Sequence, residues 1–196
     1  MASASARYAY LAVWALLALP ALPILWPVLA EAAGWRAAIR PSGDLAAKLI
    51  VLALALSPLR TLLPRSAAVA WLLRRRRWIG VAAFGYASLH MTVFVLSIGR
   101  LDWIIQGLAW ASMWTGWLAF LLLVPLAVTS SDTAMRRLGR GWKRLHRLVH
   151  PAALLTLSHW LLLSAAPWEA LAHALPLVIL HAWAAWRRAF SRGSVL

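Results

Sequence analysis

Long apolar runs, broken by short arginine tracts, limit this chain to very few architectures. Stretches such as Leu45–Leu63 and Ile105–Thr129 approach or exceed the ~18 apolar residues that mark a membrane-crossing helix. Hydrophobic residues make up 63% of the 196 and charged residues only 13%, more apolar surface than a soluble domain of that size can hide. The net charge of +15 does not indicate nucleic acid, because the basic residues are gathered between apolar runs and cover no polar face. Cysteine is absent, which excludes disulfides, thiolate nucleophiles and iron–sulfur clusters.

The pattern predicts an all-α integral membrane protein, a six-transmembrane helix bundle. Its spans fall at about Tyr8–Leu29, Leu45–Leu63, Trp78–Ile98, Ile105–Thr129, Leu145–Ala165 and Trp168–Trp186. The first run competes with a signal peptide, given Arg7 and the small residues around Ala30–Ala33, but its apolar stretch exceeds the usual ~7–15 residues. Prolines inside the spans are tolerable where neighbouring helices satisfy the freed backbone groups. Arg60, Arg65 and Arg74–Arg77 lie between spans two and three; Arg136, Arg137, Arg140, Lys143, Arg144 and Arg147 lie between spans four and five. The alternate loops hold only Arg36, Arg40 and Arg100. Positive charge resists translocation, so both termini and the two basic loops are expected in the cytoplasm. Several of the tryptophans, Trp26, Trp78 and Trp168 among them, suit the interfacial belts. No linker or internal repeat divides residues 1–196, which are expected to form a single transmembrane domain.

Three histidines stand in the segment Gly141–Trp160, where each costs solvation free energy. Span three reaches His90 thirteen residues after Arg77, and span five reaches His159 thirteen residues after His146. At ~1.5 Å per residue both steps are ~20 Å, which puts His90 and His159 at similar depth in the outer half of the membrane. Two neutral imidazoles facing each other across a bundle can hold a haem iron from both sides; the competing role is a hydrogen bond to a neighbouring helix. His173 and His181 fit that plainer role. His146 lies near the cytoplasmic interface, level with Arg76 and Arg77, with no histidine of span three at its depth. His150, four residues on, is an alternative ligand, a support for one, or an interfacial polar residue. His146 and His159 would not share a face of an ideal helix, unless Pro151 rotates its two halves.

The five acids, Glu31, Asp44, Asp102, Asp132 and Glu169, lie at span ends or in loops, so no buried carboxylate relay of a proton-coupled transporter is present. Paired catalytic carboxylates, a serine nucleophile motif, a phosphate loop and a zinc signature are missing as well. Lys48 is placed to snorkel to the outer interface.

In order, the chain carries Gly43 with Lys48, Ser57-Pro58-Leu59-Arg60, Arg76-Arg77-x-x-Gly80 and Leu89-His90. Then come Thr129-Ser130, Leu138-Gly139-x-x-Trp142-Lys143-x-Leu145-His146, and His159. This ordered set resembles the MsrQ (YedZ) family of the ferric-reductase-like transmembrane group, haem-bearing subunits of the bacterial periplasmic methionine sulfoxide reductase system. The resemblance implies a multi-pass protein of the bacterial inner membrane that carries electrons through one or two b-type haems. It implies His90 and His159 as the axial pair of an outer haem and His146 as a ligand of an inner one. Arg76 stands where the wider group has a further histidine, and is a candidate sixth ligand. His150 stands where the family pattern leads one to expect tyrosine. The family is associated with FMN on the cytoplasmic side, and Arg77, Arg137, Lys143 and Arg144 are candidates for its phosphate, although topology alone also accounts for them. The implied acceptor is a separate periplasmic molybdopterin-dependent methionine sulfoxide reductase. No soluble flavin and nicotinamide domain like that of larger ferric reductases is expected within these 196 residues, so a quinol or a cytoplasmic flavin reductase is the expected donor.

Two other readings compete. One is a stand-alone membrane ferric or metal reductase, or a quinol-oxidising cytochrome b. The other is a cofactor-free scaffold or transporter whose histidines only join helices. A visible spectrum separates the redox readings from the last.

Overall fold

Proline and glycine mark where the apolar runs stop or bend. The computed structural model describes residues 4–164 and 166–193. Among them the chain forms α1 (Ala4–Ala18), α2 (Ala21–Leu29), α3 (Arg36–Leu62), α4 (Ala67–Ile98), α5 (Leu101–Gly107), α6 (Ala111–Val128), α7 (Asp132–Leu138), α8 (Arg140–Leu145), α9 (Val149–Leu163) and α10 (Pro167–Gly193), with a 3-10 turn at His146–Leu148. Ala165, expected to close the fifth span, lies outside the described residues, as do both chain ends, whose side was inferred from charge.

By length and composition α3, α4 and α6 can each cross a membrane, and α1 with α2 make a fourth crossing if the pair, bent by 51°, is one span. The bend falls at Pro20, which opens α2 as its N-cap. Tyr86 on α4 donates its hydroxyl to Leu17 O at 2.8 Å, supplying a donor to a carbonyl beside the break. The expected fifth and sixth spans correspond to α9, which has 15 residues, and α10, which carries charge at both ends.

Two helices are longer than the apolar runs indicate. α4 has 32 residues, ~48 Å at 1.5 Å each, against a hydrocarbon core of ~30 Å. Arg74–Arg77 therefore belong to the helix and not to a loop before it. Ser66 caps its start, accepting from Val69 N at 3.3 Å, and Gly99 ends it at φ 66°, a left-handed position that glycine takes without strain. α3 starts nine residues before the expected Leu45 and brings Arg36 and Arg40 onto its first turns. The basic segment after α6 folds into α7 and α8, separated by Gly139 at φ 48°.

α3 packs most extensively on α4, and α6 on α9; α10 lies against α3 and α9, while α4 meets α6 and α3 meets α9. Small residues permit the close approach of these helices: Ala83, Ala152 and Ala153 join Ile50, Leu123 and Leu126 in one buried cluster. Aliphatic side chains such as Leu121, Leu154, Val178 and Ile179 point outward, each more than half exposed, as acyl chains require. The cluster fills the half of the bundle nearer the basic segments. Towards the other end the helices part around a cavity.

Candidate haem site

The cavity has a volume of about 510 Å³, within the ~300–1,000 Å³ of ligand pockets. Its lining runs from the buried Ile50 and Leu123, with the half-buried Phe120 beside them, to a mouth at the exposed Arg36 and Arg40. His90 of α4 and His159 of α9 both line it, with ring centroids 6.1 Å apart and planes at 81°. Two imidazoles bonded to one metal from opposite sides, at ~2 Å per metal–nitrogen bond, have centroids about that far apart. The depth match read along the spans thus corresponds to a real juxtaposition.

Each ring is held in the same way. His90 Nδ1 lies 2.8 Å from Ile39 O on α3, and His159 Nδ1 is hydrogen-bonded to Ser112 O on α6. A carbonyl only accepts, so Nδ1 carries the proton and donates in both cases. In the neutral ring Nε2 is then left with its lone pair, and no hydrogen bond engages either Nε2 among the described residues. This is the tautomer a metal-binding histidine needs, fixed by the bond at its other nitrogen.

Four residues after each accepting carbonyl stands a glycine. A Cβ on Gly43 would lie 2.8 Å from His90 Nδ1, and one on Gly116 would lie 2.6 Å from His159 Cε1; real Cβ atoms do not come so close. Each glycine is therefore a slot into which the imidazole is laid. Just before each stands a hydroxyl residue, Ser42 or Thr115, the two buried polar side chains among the described residues. Ser42 Oγ donates to Ala38 O at 2.6 Å and lies 2.9 Å from Ile39 O. Thr115 Oγ1 donates to Ala111 O at 2.8 Å and lies 3.0 Å from Ser112 O. Ser42-Gly43 facing His90 and Thr115-Gly116 facing His159 thus form a repeated unit. The sequence reading named Gly43 but missed Ser42, Thr115 and Gly116. A hydroxyl–glycine pair inside an apolar run was the available signal.

The residues fit a haem. The donor set is two imidazoles with ring centroids 6.1 Å apart, the walls around them are largely apolar, and the slots that orient the rings would be filled by any side chain.

The inner candidates are arranged differently. His146, in the 3-10 turn, stacks on Trp142 with centroids 3.9 Å apart, and its Nε2 lies 3.1 Å from Thr129 Oγ1. Trp142 Nε1 donates to Thr129 O at 2.9 Å. Arg76 donates to Ser57 Oγ at 3.0 Å and is near enough for its charge to act on His146. Pro151 lies in the first turn of α9, where proline is tolerated; the change of helical phase after His146 comes from the 3-10 turn. His150 does not share a partner with His146, and pairs with His181 of α10 at 6.3 Å between centroids. His173 Nδ1 donates to Glu169 O at 2.8 Å within its own helix. Of the candidates for a flavin phosphate, Arg77 is bound to Asp132, and Arg137, Lys143 and Arg144 are exposed on α7 and α8. None of the four lines the cavity. The Arg77 guanidinium beside Asp132 holds that carboxyl below its ordinary range.

The family model for the ferric reductase like transmembrane component matches residues 42–157, more than half of the chain, from Ser42 to just short of His159. The chain belongs to the ferric reductase-like transmembrane family. Its relatives there include proteins named protein-methionine-sulfoxide reductase heme-binding subunit MsrQ. The one from Xanthomonas campestris pv. campestris strain 8004 is 39% identical over 155 residues, covering 77% of this chain and 69% of the relative. That of Xanthomonas axonopodis pv. citri is 35% identical with the same coverage. That of Azospira oryzae is 39% identical over 145 residues, covering 68% of this chain and 58% of the relative. The chain therefore stands with MsrQ inside the ferric reductase-like family, as a multi-pass membrane protein. No solved structure matches it.

Proposed function

We propose that this protein is the haem-b electron-transfer subunit of a methionine sulfoxide reductase system. It would pass electrons from a quinol or a cytoplasmic flavin reductase, across the bacterial inner membrane, to a separate periplasmic molybdopterin-dependent reductase. The observation that carries this reading is the pair His90 and His159, 6.1 Å apart across the cavity, each with Nδ1 tied to a carbonyl. The printed name of the relatives, heme-binding subunit of a methionine sulfoxide reductase, supports the partner. A haem held between the imidazoles would supply one-electron chemistry. The chain's own residues do the rest. His90 and His159 would hold it through Nε2, the Ile39 and Ser112 carbonyls orient the rings through Nδ1, and Phe120 and Leu123 would keep water away. The bundle belonging to this reading has six spans, 1–196 forming one domain, with the basic segments and both termini in the cytoplasm and the mouth of the cavity at the periplasmic side.

A second, inner haem on His146 belongs to the same proposal, with Arg76 as its further ligand and His150 as an alternative to His146 or a support for it. The thirteen-residue step from His146 to His159 in the chain supports it. The Thr129 hydroxyl, which already engages His146 Nε2, would have to yield.

The purified protein should show a Soret band that sharpens on reduction, with the signature of a low-spin, six-coordinate iron. His90→Ala and His159→Ala should each abolish or severely reduce haem retention, whereas His173→Ala should leave the spectrum unchanged. Full haem content in both of the first two variants would overturn the pairing. A colourless protein from cells that supply haem would favour the scaffold reading.

A further inference from the structure

Building on the haem reading, we propose that Arg36 and Arg40 form an acid-recognition subsite at the cavity mouth that takes the two carboxylates of the bound porphyrin. His90 and His159 face each other from α4 and α9, so a flat macrocycle between them stands edge-on along the bundle. Its two carboxylates must then leave towards one end of the cavity or the other. The deep end is walled by Ile50, Phe120 and Leu123, and the Thr156 hydroxyl is already given to Ala152 O at 2.8 Å, so an ionised carboxylate finds no cation there. At the mouth, Arg36, Arg40 and Asp44 recur at every fourth position of α3, and all three line the cavity. Gly43, the slot for His90, lies three residues past Arg40 and seven past Arg36, or ~5 and ~10 Å along the helix axis. That matches the reach of a porphyrin from its centre to its carboxylates.

Guanidinium is suited to this task, because its fixed fork pairs with a carboxylate through two parallel hydrogen bonds. The two arginines differ in what already holds them. Arg40 donates to Glu169 at 2.7 Å and lies 3.6 Å from Asp44. Arg36 has no ion pair among the described residues. Arg36 thus brings uncompensated positive charge to the mouth, and Arg40 shares its charge between the ligand and α10. A neutral porphyrin would be bound by the imidazoles alone.

The test compares full-length protein loaded with haem, or with haem dimethyl ester, whose carboxylates are blocked. Loss of each from parent, Arg36→Gln, the double variant Arg36→Gln/Arg40→Gln and Glu169→Gln is followed at the Soret band with excess apomyoglobin as acceptor. Arg36→Gln should speed haem loss about tenfold and the double variant more. Glu169→Gln, which frees Arg40, should not speed it. The ester should leave every protein at one rate, close to that of haem from the double variant. Unchanged haem loss in the double variant would overturn the subsite, and so would equal acceleration of haem and ester, which would make the arginines supports of the fold. If the parent gives a six-coordinate spectrum with neither porphyrin, the haem reading itself falls, an outcome distinct from a failure of the arginines alone.

Discussion

Gly116 and His159 are so close that a Cβ on the glycine would stand 2.6 Å from the imidazole Cε1. Gly43 bears the same relation to His90, at 2.8 Å from Nδ1. In both places the ring cannot retreat without losing its bond to the carbonyl one turn earlier. Gly43→Ala and Gly116→Ala should therefore turn an imidazole off axis, at an overpacking cost of ~1–3 kcal/mol. The haem-to-protein ratio after purification should fall, with high-spin features appearing in what remains. Gly85→Ala is the matched control, since nothing lies within 4 Å of a Cβ there. It should keep full haem and gain slightly in helix stability.

The inner site makes a separate prediction. His146→Ala should lower the haem-to-protein ratio while sparing the outer haem's spectrum, because sites this far apart lose ligands largely independently. If His150 substitutes in part, the double variant His146→Ala/His150→Ala should lose more than either alone. Fully loaded parent protein with one haem per chain would remove the inner site.

Topology is checked by reporter fusions between the expected spans. Fusions at Gly34, Gly99 or Ala166 should report the periplasm, and those at Arg65 or Thr133 the cytoplasm. Ser42 is unsuitable, being fully buried within α3. A periplasmic signal from Arg65 or Thr133 would contradict the six-span arrangement.

Arg77 on α4 binds Asp132 at the start of α7, tying the basic segment to the bundle. The Asp132 carboxyl is held below its ordinary value of 3.8, so the link is fully present above that value and is lost as pH falls through the lowered one. Asp132→Asn should increase proteolytic cleavage around Arg136–Arg140 at neutral pH. Its effect should vanish in strong acid, where the parent loses the same link.

The residue pattern by itself determined that this chain is helical and apolar enough for membranes, because hydrophobic runs of that length have no other stable environment. It also placed His90 and His159 at equal depth, since rise per residue is nearly constant along any helix. Helix ends were less legible. Arginine reads as loop in hydropathy, yet Arg74–Arg77 continue α4 and Arg36 opens α3, because a helix can project beyond the membrane. Rotation about the helix axis was not legible at all. A 3-10 turn at His146–Leu148 changes the phase of α9 and sends His150 towards His181, a matter of packing that spacing does not encode. The slots at Gly43 and Gly116 were equally hidden. A glycine in an apolar run signals only a missing side chain; the imidazole that fills the space arrives from another helix, 47 residues on in one case and 43 in the other. Only the packing of α3 on α4 and of α6 on α9 brings each pair together, and that close approach fixes which nitrogen of each histidine is left to bind a metal.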